Sequence, residues 1–205
     1  MTLYLLFEAV ESGRLTLESP LTVSAEAASR PPAKLGLPVG TSITVREAAT
    51  ALAVRSANDV AVVVAEGVAG SEEAFARQMN ARARAIGMSR THFVNASGLP
   101  DEGQISTARD MALLALQLRT RFPAYQNFFT LKEFRFNGRR YEATNKLLGK
   151  VPGVDGLKTG YIRASGFHLV ATAQRGNKRL IAVVMGGETG RARDARAEQL
   201  LETWF

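Results

Sequence analysis

The stretch that decides the fold is Phe167 to Gln174 (FHLVATAQ), then Arg175-Gly176-Asn177-Lys178, then Arg179 to Gly186 (RLIAVVMG). Two short runs rich in aliphatic and β-branched side chains flank a polar segment with Gly and Asn at its centre. That pattern predicts two strands joined by a tight turn, and such strands pair antiparallel. Upstream, Glu133 to Phe136, Asn137-Gly138 and Arg139 to Tyr141 read as a second hairpin, because Asn-Gly accepts the left-handed backbone of a two-residue turn.

Before about residue 130 the periodicity is helical. Leu3, Leu6, Phe7 and Val10 share a face, with Gly13 as a stop. Pro20 to Gly40 reads as loop and short strand. Thr44 and Glu47 form a capping box ahead of Ala48 to Val54. Val60, Val63 and Val64 mark a buried helix just after Ser56. Ser71 caps the next helix, with Glu72 and Glu73 in its first turn, Phe75, Met79 and Ile86 along it, and Gly87 at its end. Thr107 and Asp110 open another, on which Met111, Leu114, Ala115 and Leu118 align. After the strands, Ala197, Leu200, Leu201 and Trp204 give a closing helix. Helices, then strands, then a helix predict an α+β domain with an antiparallel sheet. It is read as one domain over 1–205, helical over roughly 44–122, sheet over roughly 131–190, closed by a helix over 191–205.

Composition narrows the function classes. Hydrophobic residues make up 46% of the chain, enough for a sizeable core and too many for a disordered segment. The absence of cysteine excludes disulfides, thiolate metal sites and cysteine nucleophiles. His92 and His168 are isolated and read as structural, so neither metal nor cofactor is expected. The net charge of +7 permits general attraction to polyanions. The charges are scattered and no aromatic residues interleave with them, so nucleic acid is not expected as a partner.

Two short motifs could carry chemistry. Ser56-Ala57-Asn58 lies between two helices and offers a hydroxyl that passes a proton and an amide that donates and accepts. Its plain reading is a helix cap. Lys158-Thr159-Gly160 ends the run Val154-Asp155-Gly156-Leu157. There the lysine supplies positive charge for a carboxylate or a departing proton, the threonine a donor, and the glycine room for a substrate backbone beside a strand edge. Its plain reading is a strand end with a solvated lysine. Each motif alone is common. In this order, about a hundred residues apart, they match two of three signatures of the serine penicillin-recognising enzymes.

The surroundings sharpen the match. Ser56 to Ala61, Asn95-Ala96-Ser97-Gly98-Leu99, Thr107 to Ala112, Thr144-Asn145-Lys146-Leu147-Leu148, Gly153 to Tyr161, and Val184-Met185-Gly186-Gly187 followed by Arg193 all resemble the D-alanyl-D-alanine carboxypeptidase family, from Met1 to Phe205. The resemblance implies a β-lactamase/transpeptidase-like fold: an antiparallel sheet flanked by helices plus a helical subdomain. It implies removal of the terminal D-alanine from a peptidoglycan stem pentapeptide through a serine acyl-enzyme. Ser56 would relay a proton to the leaving amine, Asn58 hold the substrate amide, and Lys158 keep the cleft positive and bond to Ser56. Thr159 and Arg193 would take the terminal carboxylate, Gly160 would admit substrate backbone, and the Tyr161 N–H would be one oxyanion donor. For Arg193 the plain reading is a solvated helix arginine, and Arg191 and Arg196 stand near it.

The chain departs from the family at Ile162, where threonine is usual, and at Ser165, where alanine is commoner. The larger departure is the first signature, Ser-x-x-Lys: no serine from Ser12 to Ser165 has lysine three residues on. Ser106 to Arg109 comes nearest, and arginine does not act as a base near neutral pH. The resemblance puts the missing lysine two residues before Met1 and the nucleophile five before. It therefore implies a chain shortened at its N-terminus, without the signal peptide, the first sheet strands, the C-terminal β domain or the membrane-anchoring helix. The full-length form would be periplasmic or otherwise extracytoplasmic, would bind β-lactam antibiotics, and would reach a membrane only through the missing segments. Alternatives are an inactive remnant that at most binds peptidoglycan, a class A-like β-lactamase, and a basic surface-binding module. The β-lactamase reading is disfavoured by Ser-Ala-Asn in place of Ser-Asp-Asn and by the lack of a glutamate-bearing loop.

Overall fold

The computed structural model describes residues 1–205. Helix α1 (Thr2–Glu11) is buried over most of its length: Leu3, Tyr4, Leu5, Leu6, Phe7 and Ala9 are all inside. It ends at Ser12, and Gly13 turns the chain at φ +72°. Strand β1 (Pro20–Thr22) pairs antiparallel with β2 (Ser42–Thr44). Between them lies α2 (Ala25–Ser29), a helix within the stretch that the sequence predicts as loop and short strand. At five residues it is too short to show a helical period, and only Ser24, whose side chain accepts from the Ala27 N–H at 2.9 Å, marks it.

Helices α3 (Val45–Val54), α4 (Asn58–Ala69), α5 (Glu72–Ala85) and α6 (Ala108–Arg121) form where the apolar periodicity predicts. Both halves of the Thr44/Glu47 capping box are made, and Ser71 and Thr107 cap α5 and α6. A 3-10 turn at Pro123–Tyr125 and the short α7 (Asn127–Thr130) follow. They bring Phe122, Tyr125, Phe128 and Phe129 around Phe7, whose ring stacks on Tyr125 at 4.5 Å between centroids.

Strands β3 (Glu133–Phe136) and β4 (Arg139–Glu142) form the Asn137-Gly138 hairpin, with both turn residues at positive φ. Strands β5 (Val154–Ile162), β6 (Gly166–Arg175) and β7 (Lys178–Gly187) make an antiparallel sheet in that order. The predicted Phe167–Gln174 and Arg179–Gly186 pair is present, with Arg175 opposite Lys178 across the turn. Helix α8 (Gly190–Trp204) closes the chain.

The sheet lies between two hydrophobic layers. Leu157 and Val170 join the main core with α1, α3 and α4. Leu169, Ala171, Ala173 and Ala182 meet Ala197 and Leu201 of α8 in a smaller one. Alternate residues of β6 thus serve opposite faces, as a strand buried on both sides requires. The Lys158-Thr159-Gly160 motif sits inside β5, not at a strand end as its plain reading had it. Pairing of Lys158, Thr159 and Gly160 with Val170, Leu169 and His168 extends the strand through two glycines of poor strand propensity.

Candidate active site

Ser56 occupies the junction of α3 and α4 in a left-handed backbone, φ +60°. For a non-glycine residue this costs on the order of 1 kcal/mol. The turn points its half-buried side chain into a cavity and leaves its hydroxyl without a hydrogen bond inside the chain. The next helix is anchored from below. The Asn58 side-chain amide donates to Pro31 O at 3.0 Å, and its N–H donates to Ala33 O at 2.7 Å. The Asn58 side-chain carbonyl therefore remains an available acceptor. Asp59 is fully buried and accepts from the N–H groups of Leu35, Gly36 and Leu37 at 3.1, 2.8 and 3.3 Å. Asn58 and Asp59 together tie loop 31–37 beneath the junction. The sequence gives Asp59 no role within the Ser56 to Ala61 stretch; an acid beside the motif at the head of an apolar helix is the available signal.

The cavity has a volume of about 160 Å³. Its walls are mostly apolar, from Leu52, Ala61, Met111, Leu114, Phe129 and Val170. Ser56, Ser97, Thr2 and Lys158 supply its polar side chains, and Met1 also lines it. Thr2 donates to Ala96 O at 2.7 Å and so fixes the loop that carries Ser97. Ser56 and Lys158, a hundred residues apart in sequence, thus face one space. Lys158 does not bond to Ser56 in this structure; its ammonium donates to Thr159 O at 2.8 Å. Burial, and secondarily the nearby Arg193 guanidinium, lowers its pKa from 10.5 to about 8.

Asn58, Thr159, Gly160, Tyr161 and Arg193 do not line this cavity. The Thr159 hydroxyl donates to the Thr144 hydroxyl at 2.7 Å, and Thr144 is held by Val54 O at the end of α3. Tyr161 is exposed and packs against Phe167, with 4.2 Å between ring centroids and the planes tilted by 31°. At Gly160 an added Cβ would stand 3.7 Å from His168 Cβ, an ordinary contact. Nothing inside the fold therefore demands glycine there. Arg193 is not a solvated helix arginine. Only 6% of it is exposed, and its guanidinium donates to His168 O at 2.6 Å and to Asp194 at 2.8 Å. His168 accepts from the Gly186 N–H at its Nδ1, 3.1 Å away, while its Nε2 meets the Ser165 hydroxyl at 2.8 Å. Burial, then Arg193, lowers the His168 pKa, which keeps the ring in the neutral form this pairing needs.

A second group was not legible in the sequence. Arg119 of α6 reaches Asp155 with both terminal nitrogens at 2.7 Å, and Thr172, 1% exposed, bonds both partners. This clamp sits at the bulge between Val154 and Gly156, three residues before Lys158.

A family profile described as D-alanyl-D-alanine carboxypeptidase matches residues 1–189. The D-alanyl-D-alanine carboxypeptidase DacF of Bacillus subtilis is 37% identical over the whole chain. The chain spans about half the length of the curated relatives it matches, 54% in that case. The crystal structure of D-alanyl-D-alanine carboxypeptidase DacD from Francisella tularensis superposes with a TM-score of 0.94 at 28% identity, covering 98% of this chain and 61% of that one. Penicillin-binding protein D2 from Listeria monocytogenes, in its ampicillin-bound form, gives 0.83 at 33% identity, covering 98% and 82%.

Proposed function

Because the chain belongs to the D-alanyl-D-alanine carboxypeptidase family, we propose that it forms the wall of a serine D-Ala-D-Ala carboxypeptidase active site, working outside the cytoplasm on peptidoglycan stem pentapeptides. The observation that carries this reading is the meeting of Ser56, from the α3–α4 junction, and Lys158, from β5, on one cavity. No helix is long and apolar enough to cross a membrane.

Each residue takes a step that its surroundings suit. The substrate backbone runs along the free outer edge of β5. Gly160 is open there because docked backbone, not the fold, needs the space. Thr159 and Arg193 take the terminal carboxylate. The Asn58 side-chain carbonyl accepts the substrate amide N–H, its own amide group being held by Pro31. The Tyr161 N–H stabilises the oxyanion as the serine ester forms. The proton that the nucleophilic serine gives up on attack is passed by the free hydroxyl of Ser56 to the departing D-alanine nitrogen as the peptide C–N bond breaks, and water then hydrolyses the serine ester. Lys158, with a pKa of about 8, exchanges that proton readily near neutral pH. The same cleft would receive β-lactams, as the Listeria relative receives ampicillin.

The nucleophile itself must come from a Ser-x-x-Lys segment, which no serine of this sequence begins. The 205-residue chain is therefore expected to show no covalent labelling by a fluorescent penicillin, in keeping with the inactive reading for this chain alone. A chain extended so that serine stands five residues, and lysine two residues, before Met1 is expected to label stoichiometrically. Lys158→Ala in the extended chain should cut that labelling by a hundredfold or more, on the order of a lost general acid–base or charge-stabilising group. Labelling of the chain as it stands, or a fully labelled Lys158→Ala variant, would overturn these assignments.

A further inference from the structure

Strand β5 changes face partway along its length. Val154 pairs with Ala173, and both pack on the smaller core under α8. Side chains alternate along a strand, so in a regular ladder Lys158 would face the same layer as Val154. Lys158 instead lines the cavity with Ser56. The pairing supplies the cause. The register shifts by one residue between Val154 and Gly156, and Asp155 has no partner in the ladder. Beyond the shift Lys158 stands opposite Val170, which also lines the cavity. Continued one for one from Val154 and Ala173, the ladder would put Lys158 opposite Leu169, a member of the smaller core. Leu157 and Lys158 are consecutive yet both line the cavity, as an irregular strand allows.

The extra residue is the one that the Arg119 clamp holds. A bulged residue is left out of the ladder and must be fixed by other means. Asp155 is fixed through its side chain. Arg119 meets both carboxylate oxygens at 2.7 Å, and the Thr172 hydroxyl donates to one of them at 2.7 Å while accepting from Arg119 at 3.1 Å. Thr172 stands opposite Gly156, the first residue to pair after the shift. A Cβ at Gly156 would lie 3.2 Å from the Thr172 Oγ1, so glycine leaves that hydroxyl room to turn to Asp155. A two-point arginine–carboxylate pair fixes direction as well as distance. It anchors the bulge to α6, the helix whose Met111, Leu114, Ala115 and Leu118 line the same cavity.

We propose that Arg119 and Asp155, with Thr172, are positioning residues for Lys158. By pinning the bulge at residue 155 they hold residues 158–162 in the register that turns Lys158 to the Ser56 cavity. The unshifted register turns it to the layer beneath α8. The consequence for catalysis rests on the carboxypeptidase reading. The register does not, and it needs no nucleophile.

The 205-residue chain, labelled with nitrogen-15 and carbon-13, tests this directly. In the parent, nuclear Overhauser contacts should join Lys158 to Val170 across the strands and to Met111 or Phe129 across the cavity. Arg119→Leu combined with Asp155→Leu removes the clamp without stranding a charge. In that variant the contacts to Val170 and the cavity should be lost, wholly or in a second set of signals, and contacts to Leu169 should replace them. Asp155→Asn keeps the shape and weakens only the charged pair. It should show the same change in a minor set of signals, and it serves if the double variant does not fold. Folded variants whose Lys158 stays against Val170, with no second set of signals, would overturn the positioning role and leave the clamp a purely stabilising contact. A parent with Lys158 against Leu169 would overturn it as well. The readout involves no acylation, so a failure of the carboxypeptidase reading, seen in penicillin labelling, is scored separately.

Discussion

Lys158 holds an ammonium beside an apolar cavity, and the fold opposes its charge there. Its pKa falls from 10.5 to about 8, through burial first and Arg193 second. A base whose pKa is lowered on folding is most favourable when neutral. Its contribution is full above the unfolded value of 10.5 and is lost as the pH falls through the interval to about 8. At pH 7 the charged side chain is therefore a net destabilisation of about 2–3 kcal/mol, allowing for its partial exposure. Lys158→Met, which keeps the volume and removes the charge, is expected to stabilise the chain by roughly that amount in urea unfolding at pH 7. The advantage should shrink as the pH rises from 8 to 10.5. A variant no more stable than the parent, or a gap independent of pH, would show that the cavity does not disfavour the charge. The sequence made this residue visible by motif order. Its environment was invisible there, because Met111, Phe129 and Val170 come from three separate stretches.

At the scale of elements, the helices and hairpins were legible because their signals are local. Thr44 with Glu47, Ser71, Thr107 and Asn137-Gly138 each satisfy nearby backbone groups, and each appears where it was expected. The clamp on β5 was illegible because its three members, Arg119, Asp155 and Thr172, come from three elements and carry no shared pattern. It fixes the strand that carries Lys158 to α6 at the bulge, where strand pairing alone is interrupted. Both charged side chains are largely buried, 11% and 27% exposed. Arg119→Leu leaves the Asp155 carboxylate without its cation and is expected to cost about 3 kcal/mol. Arg119→Leu combined with Asp155→Leu, which removes both charges, should recover much of that loss. The midpoints of urea unfolding for the single and double variants decide it. A double variant as weak as the single one would mean that packing around Arg119, rather than its charge pair, holds the strand.

The whole molecule has a sheet with two free edges, and they differ in kind. The β5 edge carries Lys158-Thr159-Gly160 and faces the cleft. The β7 edge runs for ten residues with no strand beyond it, between α6 and α8. Its Met185 is 43% exposed, and Val183 and Val184 are only partly covered. A long apolar edge is a template for pairing with another copy, although here the ladder is bulged between Val184 and Gly187. The net charge of +7 opposes that approach at low ionic strength and is screened as salt rises. The chain is accordingly expected to be monomeric at low salt and low concentration. It should self-associate as either increases, with light scattering after size exclusion as the measurement. Met185→Lys places a charge on the edge and should move the onset of association to several-fold higher concentration while leaving the thermal midpoint within a few degrees. If the charged edge changes nothing, association runs through another surface. If the parent stays monomeric at high salt, α6 and α8 shield β7 more completely than the exposure of Met185 indicates.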